Sequence, residues 1–257
     1  MRRLVSLTLL VLTAIPALAF AGDAALPAPL PQVRPGPDFF FGPPRGSVSV
    51  RGSWDVLQAN GDWFNFVRKQ LTLSRGDFRL PGIAGDVNLT MSPRFDLVIS
   101  ADYGGHAKDS EYRDFVDNDR LPIAQTTRLR EGSVTAGVRY AVRPRGQSVS
   151  SLAWIPSRLV PYVGGGGGVL WYSLLQYGDF VDFSDFSIFR DQFPSRGATP
   201  MAYADAGVDL QIFKRLYATV DARYKWARPK LDATVWNGFD PLDLNGVRVS
   251  TGLSVSF

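Results

Sequence analysis

The 257-residue chain contains no cysteine and a single histidine. Without thiols there are no disulfide staples, thiolate metal sites, cysteine nucleophiles or acylated lipoprotein cysteine. Their absence suits a chain exported into an oxidising compartment, where stray thiols pair wrongly. Outside the N-terminus no apolar run approaches the ~18–20 residues that a transmembrane helix needs, which excludes a helical membrane protein. Positive charge is also unconcentrated. The net charge is +4, but arginines and aspartates are interleaved, and no basic stripe of the kind that grips nucleic acid is visible.

What is present begins with a targeting signal. Arg2 and Arg3 precede an apolar stretch, Leu4 to Leu18, broken by Pro16, and Ala19-Phe20-Ala21 fits the small-x-small rule for cleavage before Gly22. Residues 1–21 are therefore expected to be a signal peptide. Residues 22–45 carry prolines at 27, 29, 31, 35, 37, 43 and 44, a composition that stays extended and solvated, and they read as a periplasmic linker. The Phe39-Phe40-Phe41 triplet within it is expected under a barrel rim or at the lipid interface.

From residue 46 to 257 the pattern changes to period two, which in a strand sends alternate side chains to opposite faces. The last segment, 244–257, shows it best. Val247, Val249, Thr251, Leu253, Val255 and Phe257 share one face, and Arg248, Ser250, Gly252, Ser254 and Ser256 the other. Seven more strands read the same way: 46–56, 82–91, 95–104, 132–143, 159–175, 200–212 and 215–228. Their polar faces place Arg51, Asp55, Asp86, Asp96, Asp102, Arg139, Arg143, Asp205, Asp209, Asp221, Arg223 and Lys225 beside Arg248. The predicted fold is all-β, an eight-stranded antiparallel up-and-down transmembrane barrel.

Alternation alone does not separate a membrane barrel from a soluble sandwich, so other features decide. Connections after strands one, three, five and seven are long (57–81, 105–131, 176–199, 229–243), whereas Ser92-Pro93-Arg94 and Phe213-Lys214-Arg215 are tight. Outer-membrane barrels have that parity, with short periplasmic turns and long extracellular loops. The long connection 144–158, with Trp154-Ile155-Pro156, breaks it and is expected to rest on the periplasmic rim. Trp54, Tyr103, Tyr140, Trp171, Tyr172, Tyr224 and Trp226 lie near the ends of apolar stretches, as interfacial girdles do. The chain stops on Phe257 within an alternating strand.

The repeated strand patterns, the Gly-rich segment Pro161-Tyr162-Val163-Gly164-Gly165-Gly166 and the terminal Leu253-Ser254-Val255-Ser256-Phe257 resemble the small outer-membrane barrels of the OmpA-transmembrane-domain and OmpW type. The resemblance covers nearly the whole mature chain and is one of architecture. It implies outer-membrane location, contact with membrane lipid, and recognition of Val255 and Phe257 by the barrel-assembly machinery.

Chemistry is harder to find. The lumenal acids and bases are near balance, which in so narrow a barrel favours salt-bridged cross-links over a solute path. Gly164–Gly168 lacks the helix N-terminus of a phosphate loop, so its glycines are expected to permit bending or to make room for bulky neighbours such as Tyr203. His106, with Ser110 and Glu111, is the one candidate for a lipid-hydrolase constellation, but resembling enzymes carry His-x-Ser on one strand face, and here the spacing is four. Asp179, Asp182 and Asp185 are a weak candidate for a hard cation and match no calcium loop. No cofactor or metal is expected. The long loops repeat an Asp-plus-aromatic composition (61–66, 112–117, 179–193, 237–240) that either packs as a cap or binds a small hydrophobic molecule or a protein. The expected function is a non-enzymatic structural or interaction role through these loops. The alternatives are a narrow channel for small or hydrophobic solutes, which the OmpW likeness implies, and a lipid-modifying enzyme.

Overall fold

The computed structural model describes residues 42–117, 119–150 and 153–257. Every element below belongs to the compact unit Pro37–Phe257. The expected signal peptide, most of the Pro-rich segment and the Phe39–Phe41 triplet lie outside the described residues.

Eight strands close into a ring with neighbours in the order β1-β10-β9-β8-β7-β4-β3-β2. They are β1 (Gly46–Leu57), β2 (Arg79–Thr90), β3 (Phe95–Val116), β4 (Pro122–Ala141), β7 (Leu159–Val181), β8 (Ile188–Gln211), β9 (Leu216–Trp226) and β10 (Gly246–Ser256). Two short strands, β5 (Gly146–Ser150) and β6 (Ala153–Pro156), form a separate hairpin. All pairs are antiparallel, and β1 closes the ring against β10, with Ser47 opposite Ser256 and Leu57 opposite Gly246. The amide of Phe257 donates to the Gly46 carbonyl (3.0 Å), and its own carbonyl accepts from Arg45 (2.7 Å), so the last residue fastens the seam.

Burial is inverted relative to a soluble protein. Val50 is 68% exposed while its neighbour Arg51 is 2% exposed, and the same contrast runs round the ring. Val48, Ile83, Ile99, Val138, Val163, Val220 and Leu253 face outward; Ser49, Asn88, Ser100, Thr135, Thr219 and Ser254 face inward. A soluble sheet with this pattern would bury its charges and wet its aliphatics. In a bilayer it is the favourable arrangement, because closure satisfies every ladder hydrogen bond and the lipid receives the apolar face.

Trp54, Tyr103, Trp171 and Trp226 form an outward ring near the long-connection end, where Tyr224 packs on Trp226. Phe95 and Tyr140, 5.0 Å apart, mark the short-turn end. Tyr172 departs from the sequence expectation: it points inward and is buried, because its hydroxyl donates to the Lys230 carbonyl (2.7 Å) and meets Ser195.

Strand length separates two groups. β1, β2, β9 and β10 have 11 or 12 residues, close to the ~9–11 that a tilted strand needs to cross a bilayer. β3, β4, β7 and β8 have 20 to 24. About ten residues of each therefore stand beyond the membrane, some 30 Å along the strand at ~3.3 Å per residue. The segments 105–131 and 176–199, read from sequence as loops, are mostly these extensions. Asp109 pairs with Thr126 and accepts its hydroxyl (2.7 Å), and Tyr177 pairs with Gln192.

The glycine run of β7 is packed where it faces the lumen. A Cβ on Gly166 would lie 2.5 Å from Gly137 Cα, and one on Gly164 would overlap the Asp205 carboxylate. Across the sheet, the Tyr203 hydroxyl occupies the space that a Cβ on Gly137 would take.

Candidate functional site

Three layers fill the barrel from one mouth to the other. The outermost is an aromatic cap. Its centre is the one α-helix among the described residues, α1 (Asp62–Gln70), which sequence reading missed. Trp63, Phe64 and Val67 fall on one face and are buried; Asp62 opens the first turn, and Arg68 and Lys69 lie in the last, matching the helix dipole. Nine residues are too few for a stable isolated helix, so packing holds it. Trp63 meets Trp236 edge-on (centroids 5.9 Å apart) and Phe64 (5.1 Å), and Phe64 meets Phe78 (4.8 Å). Each buried large apolar side chain contributes roughly 1.5–3 kcal/mol. Leu57, Leu71, Leu73, Leu80, Leu242 and Leu244 complete the plug above Leu129, Leu170 and Tyr203.

Hydrogen bonds tie the cap to the rim. Asp243 accepts the Asn60 amide (3.3 Å), Asn245 accepts that of Ala227 (2.8 Å), and Arg113 donates to the Leu73 carbonyl (3.2 Å). The loop aromatics noted in the sequence therefore pack on one another, as with Phe66 on Phe239 and Phe115 on Phe183.

On the flank of this cap, between α1, the β3–β4 and β7–β8 extensions and the 227–245 segment, lies a cavity of about 250 Å³. Its walls are Phe66, Val67, Leu71, Tyr112, Phe180, Phe183, Phe189, Phe193, Val235, Trp236 and Phe239, and its polar lining is Gln70, Gln125 and Gln176. No acid, base or histidine lines it.

The middle layer is ionic. Below the cap, Arg248 donates to Asp55 (2.8 Å) and reaches Asp102 (2.6 Å) and Glu131 (3.3 Å), while Lys225 pairs with Glu131 and with Asp55 (3.4 Å). Further down, Arg51 bridges Asp86 (2.5 Å) and Asp221 (3.5 Å), and the Tyr162 hydroxyl donates to Asp221 (3.1 Å). Arg223 faces Asp205 (3.7 Å) and lies over the Tyr203 ring (4.1 Å); Arg139 faces Asp209 (3.9 Å) and lies over the Tyr162 ring (3.8 Å).

The structure thus gathers Arg51, Asp55, Asp86, Asp96, Asp102, Arg139, Asp205, Asp209, Asp221, Arg223, Lys225 and Arg248 in the lumen. Arg143 is a correction: β4 ends at Ala141, the alternation stops, and Arg143 is exposed on the turn. Arg145 reaches in instead, forking onto Asp96. Glu131 was also missed, because the fourth strand was read as starting at Gly132; extending the inward parity of Thr135 and Ser133 by one step reaches it.

The third layer closes the short-turn end. The β5–β6 hairpin, within the connection expected at the periplasmic rim, presents a buried Trp154. Trp154 and Arg145, with Asp96, Arg139, Asp209 and Tyr217, line a residual cavity of only about 50 Å³.

Neither weak chemical candidate is assembled. His106 is exposed and Ser110 buried on β3, four residues and therefore ~13 Å apart along a strand. The Ser110 hydroxyl donates to the Gln125 carbonyl (3.3 Å). Asp182 and Asp185 accept from Ser184 and Ser187 and cap turns, and no three acids gather as a metal site among the described residues. Hydrogen bonds from the Ser187 amide and side chain hold the exposed Asp185 carboxyl below the usual range.

No family model and no curated protein matches the chain in sequence. Among solved structures it is similar to the outer membrane protein OprG of Pseudomonas aeruginosa (11% identity, 85% of this chain and 99% of that one, TM-score 0.49). It is also similar to Neisserial surface protein A (12%, 86% and 98%, 0.40) and to Ail of Yersinia pestis, solved with the heparin analogue sucrose octasulfate (12%, 83% and 99%, 0.41). The closed ring, the outward aliphatic face, the aromatic bands and the ion-paired interior lead to one conclusion: the chain is a small eight-stranded β-barrel of the outer membrane, its outer face in contact with lipid.

Proposed function

We propose that this barrel is a closed, non-conducting, non-enzymatic membrane anchor, and that its work is binding at the extracellular cap. The observation that carries the reading is the threefold filling of the lumen: aromatic plug, ion-pair layer and Trp154 hairpin in series. An eight-stranded barrel has an interior just wide enough for side chains, and here they occupy it. The rigid cap and the protruding four-stranded blade then supply the surface for a small hydrophobic molecule or a protein. Val255 and the exposed, seam-fastening Phe257 serve as the signal read by the assembly machinery.

Because the chain has no cysteine, single introduced thiols test closure cleanly. Ser100, buried at mid-lumen beside Arg223, is replaced by cysteine in protein reconstituted in vesicles. A charged methanethiosulfonate added to either side is expected to leave Ser100→Cys unmodified, while the exposed controls Ser148→Cys and Ser187→Cys react within minutes. Rapid modification of Ser100→Cys would mean an open lumen and return the protein to the transport class.

A further inference from the structure

At the short-turn end the exposed ionisable side chains carry one sign. Arg45, Arg94, Arg143, Arg158, Lys214 and Arg215 are all exposed there. Among the described residues no aspartate or glutamate is exposed beside them. The two acids of this end, Asp96 and Asp209, turn into the lumen toward Arg145 and Arg139. Setting the carboxylate of Phe257 against the six cations leaves a surplus of +5. The ion pairs of the described residues engage none of Arg45, Arg94, Arg143, Arg158 and Lys214. The opposite tip is mixed: exposed Asp114, Asp119, Asp182 and Asp185 accompany Arg113, Arg120 and Arg190.

The cations are spread around the ring. Arg45 precedes β1, Arg94 precedes β3, Arg143 follows β4, Arg158 precedes β7, and Lys214 and Arg215 lie in the β8–β9 turn. Four of them adjoin in sequence an exposed apolar residue: Arg94 beside Phe95, Arg143 beside Val142, Arg158 beside Leu159, Lys214 beside Phe213. Arg94 also donates to the hydroxyl of Tyr140 (3.0 Å), which with Phe95 marks this edge of the apolar belt. Long basic side chains in that position lay their stems along the hydrocarbon edge and their heads at the level of the lipid phosphates.

We infer that this collar selects anionic phospholipid in the periplasmic leaflet, a headgroup whose phosphodiester charge is not balanced by an amine. Arginine and lysine meet phosphate through charge-assisted hydrogen bonds, and basic clusters at a membrane surface are drawn to anionic lipid. A choline or ethanolamine headgroup brings an ammonium, and no aspartate or glutamate is exposed at this rim to receive it. A folded protein partner needs one contiguous patch, whereas charge on every side of the ring matches an annulus of lipid. Arg143, turned out of the lumen, belongs to this collar. The inference concerns the end opposite the cap and stands whatever the cap binds.

Because the chain has no cysteine, one thiol-linked bimane reports each end in turn. Met91→Cys places it at an exposed short-turn position, and Ile83→Cys places it opposite Tyr103 near the other end. The labelled protein is refolded into phosphatidylcholine vesicles. These contain an equal small fraction of either phosphatidylglycerol or phosphatidylcholine bearing a nitroxide near its headgroup, and quenching reads the local lipid. At low salt the label at Met91→Cys is expected to find phosphatidylglycerol enriched about fivefold over phosphatidylcholine, the weight of roughly one basic side chain at an anionic surface. At Ile83→Cys the ratio is expected to stay close to one. Arg94→Gln, Arg143→Gln and Lys214→Gln together should bring the Met91→Cys ratio toward one, in a barrel shown by its heat-modifiable mobility to be folded. Raising the salt should lower the same ratio without those substitutions, which gives a second measurement if the triple variant does not fold. Equal quenching by the two lipids at Met91→Cys would overturn the inference. So would equal enrichment at both labels, or an enrichment that survives the triple substitution or high salt. Polyglutamate that shifts the Met91→Cys emission where no lipid preference exists would overturn it in favour of a soluble acidic partner.

Discussion

Replacing Lys225 by methionine perturbs the ionic layer at its most enclosed point. Lys225, Glu131 and Asp55 have side chains no more than 1% exposed, and Arg248 and Asp102 complete the group. Three carboxylates thus face two cations, a formal charge of −1. Lys225→Met leaves three buried carboxylates against Arg248, formally −2. Removing one partner of a buried pair costs about 3–5 kcal/mol, and that is the expected loss, a factor of roughly 150 to 5,000 in the folding equilibrium. Glu131→Gln is expected to behave differently. It leaves Asp55 and Asp102 against Lys225 and Arg248, formally neutral, and exchanges charge-assisted hydrogen bonds for neutral ones at a cost of about 1 kcal/mol. The double variant returns to −1, so Glu131→Gln should be stabilising in the Lys225→Met background, with a coupling of about 1–3 kcal/mol. Urea unfolding in lipid vesicles, followed by tryptophan fluorescence, measures all four corners of the cycle. Simple additivity, or further destabilisation by Glu131→Gln in that background, would refute the charge count.

Packing of the glycine run gives a second expectation. Gly166→Ala should cost more than about 2 kcal/mol through overpacking, because its Cβ meets the backbone of Ala136 and Gly137. Gly52→Ala, whose Cβ has only the Thr251 carbonyl at 4.0 Å, should stay within about 0.5 kcal/mol in the same unfolding assay. At the cap, partial burial works against Asp77 ionisation, but hydrogen bonds from the Ser74 hydroxyl and amide and the nearby Lys108 hold its carboxyl below the ordinary 3.8. A depressed folded value gives stability that is complete above the unfolded value and lost as pH falls through the folded one. Protection of the Phe78 amide from hydrogen exchange should therefore hold down to about pH 4 and fall below it, and Asp77→Asn should abolish that step. Phe257→Ala should lower the amount of folded barrel assembled in cells while refolding in detergent remains efficient; equal loss in both would assign the residue to stability alone.

The faces of the membrane-spanning strands were legible because lipid imposes the sharpest contrast in the molecule. Val50 and Arg51 are neighbours with opposite surroundings, and a period of two records it. Legibility stopped where lipid stopped. Beyond Gly104 both faces of β3 meet polar surroundings, so His106 to Glu111 lost the apolar beat while the ladder to β4 continued. α1 carried its own signal in the spacing of Trp63, Phe64, Val67 and Leu71, but nine residues between strands were read by composition as loop. Arg143 and Glu131 failed for one shared reason. Parity is reliable only between the true ends of a strand, and the boundary of β4 was placed two residues too late at one end and ten residues too late at the other. The flank cavity was not legible at all, since it is made by four segments that meet only in the closed barrel.

Closure of the lumen is the central claim, and planar-bilayer conductance tests it most directly. Protein refolded in detergent and shown to be heat-modifiable on SDS gels is added to a bilayer at high salt and held under voltage. The expected record is a folded barrel that inserts without steady unitary conductance, in wild type and in Trp154→Ala alike, because the ionic layer and the cap remain in series. A steady conductance that changes when Arg139 or Arg223 is replaced would show a continuous water path past those side chains and contradict the closed barrel.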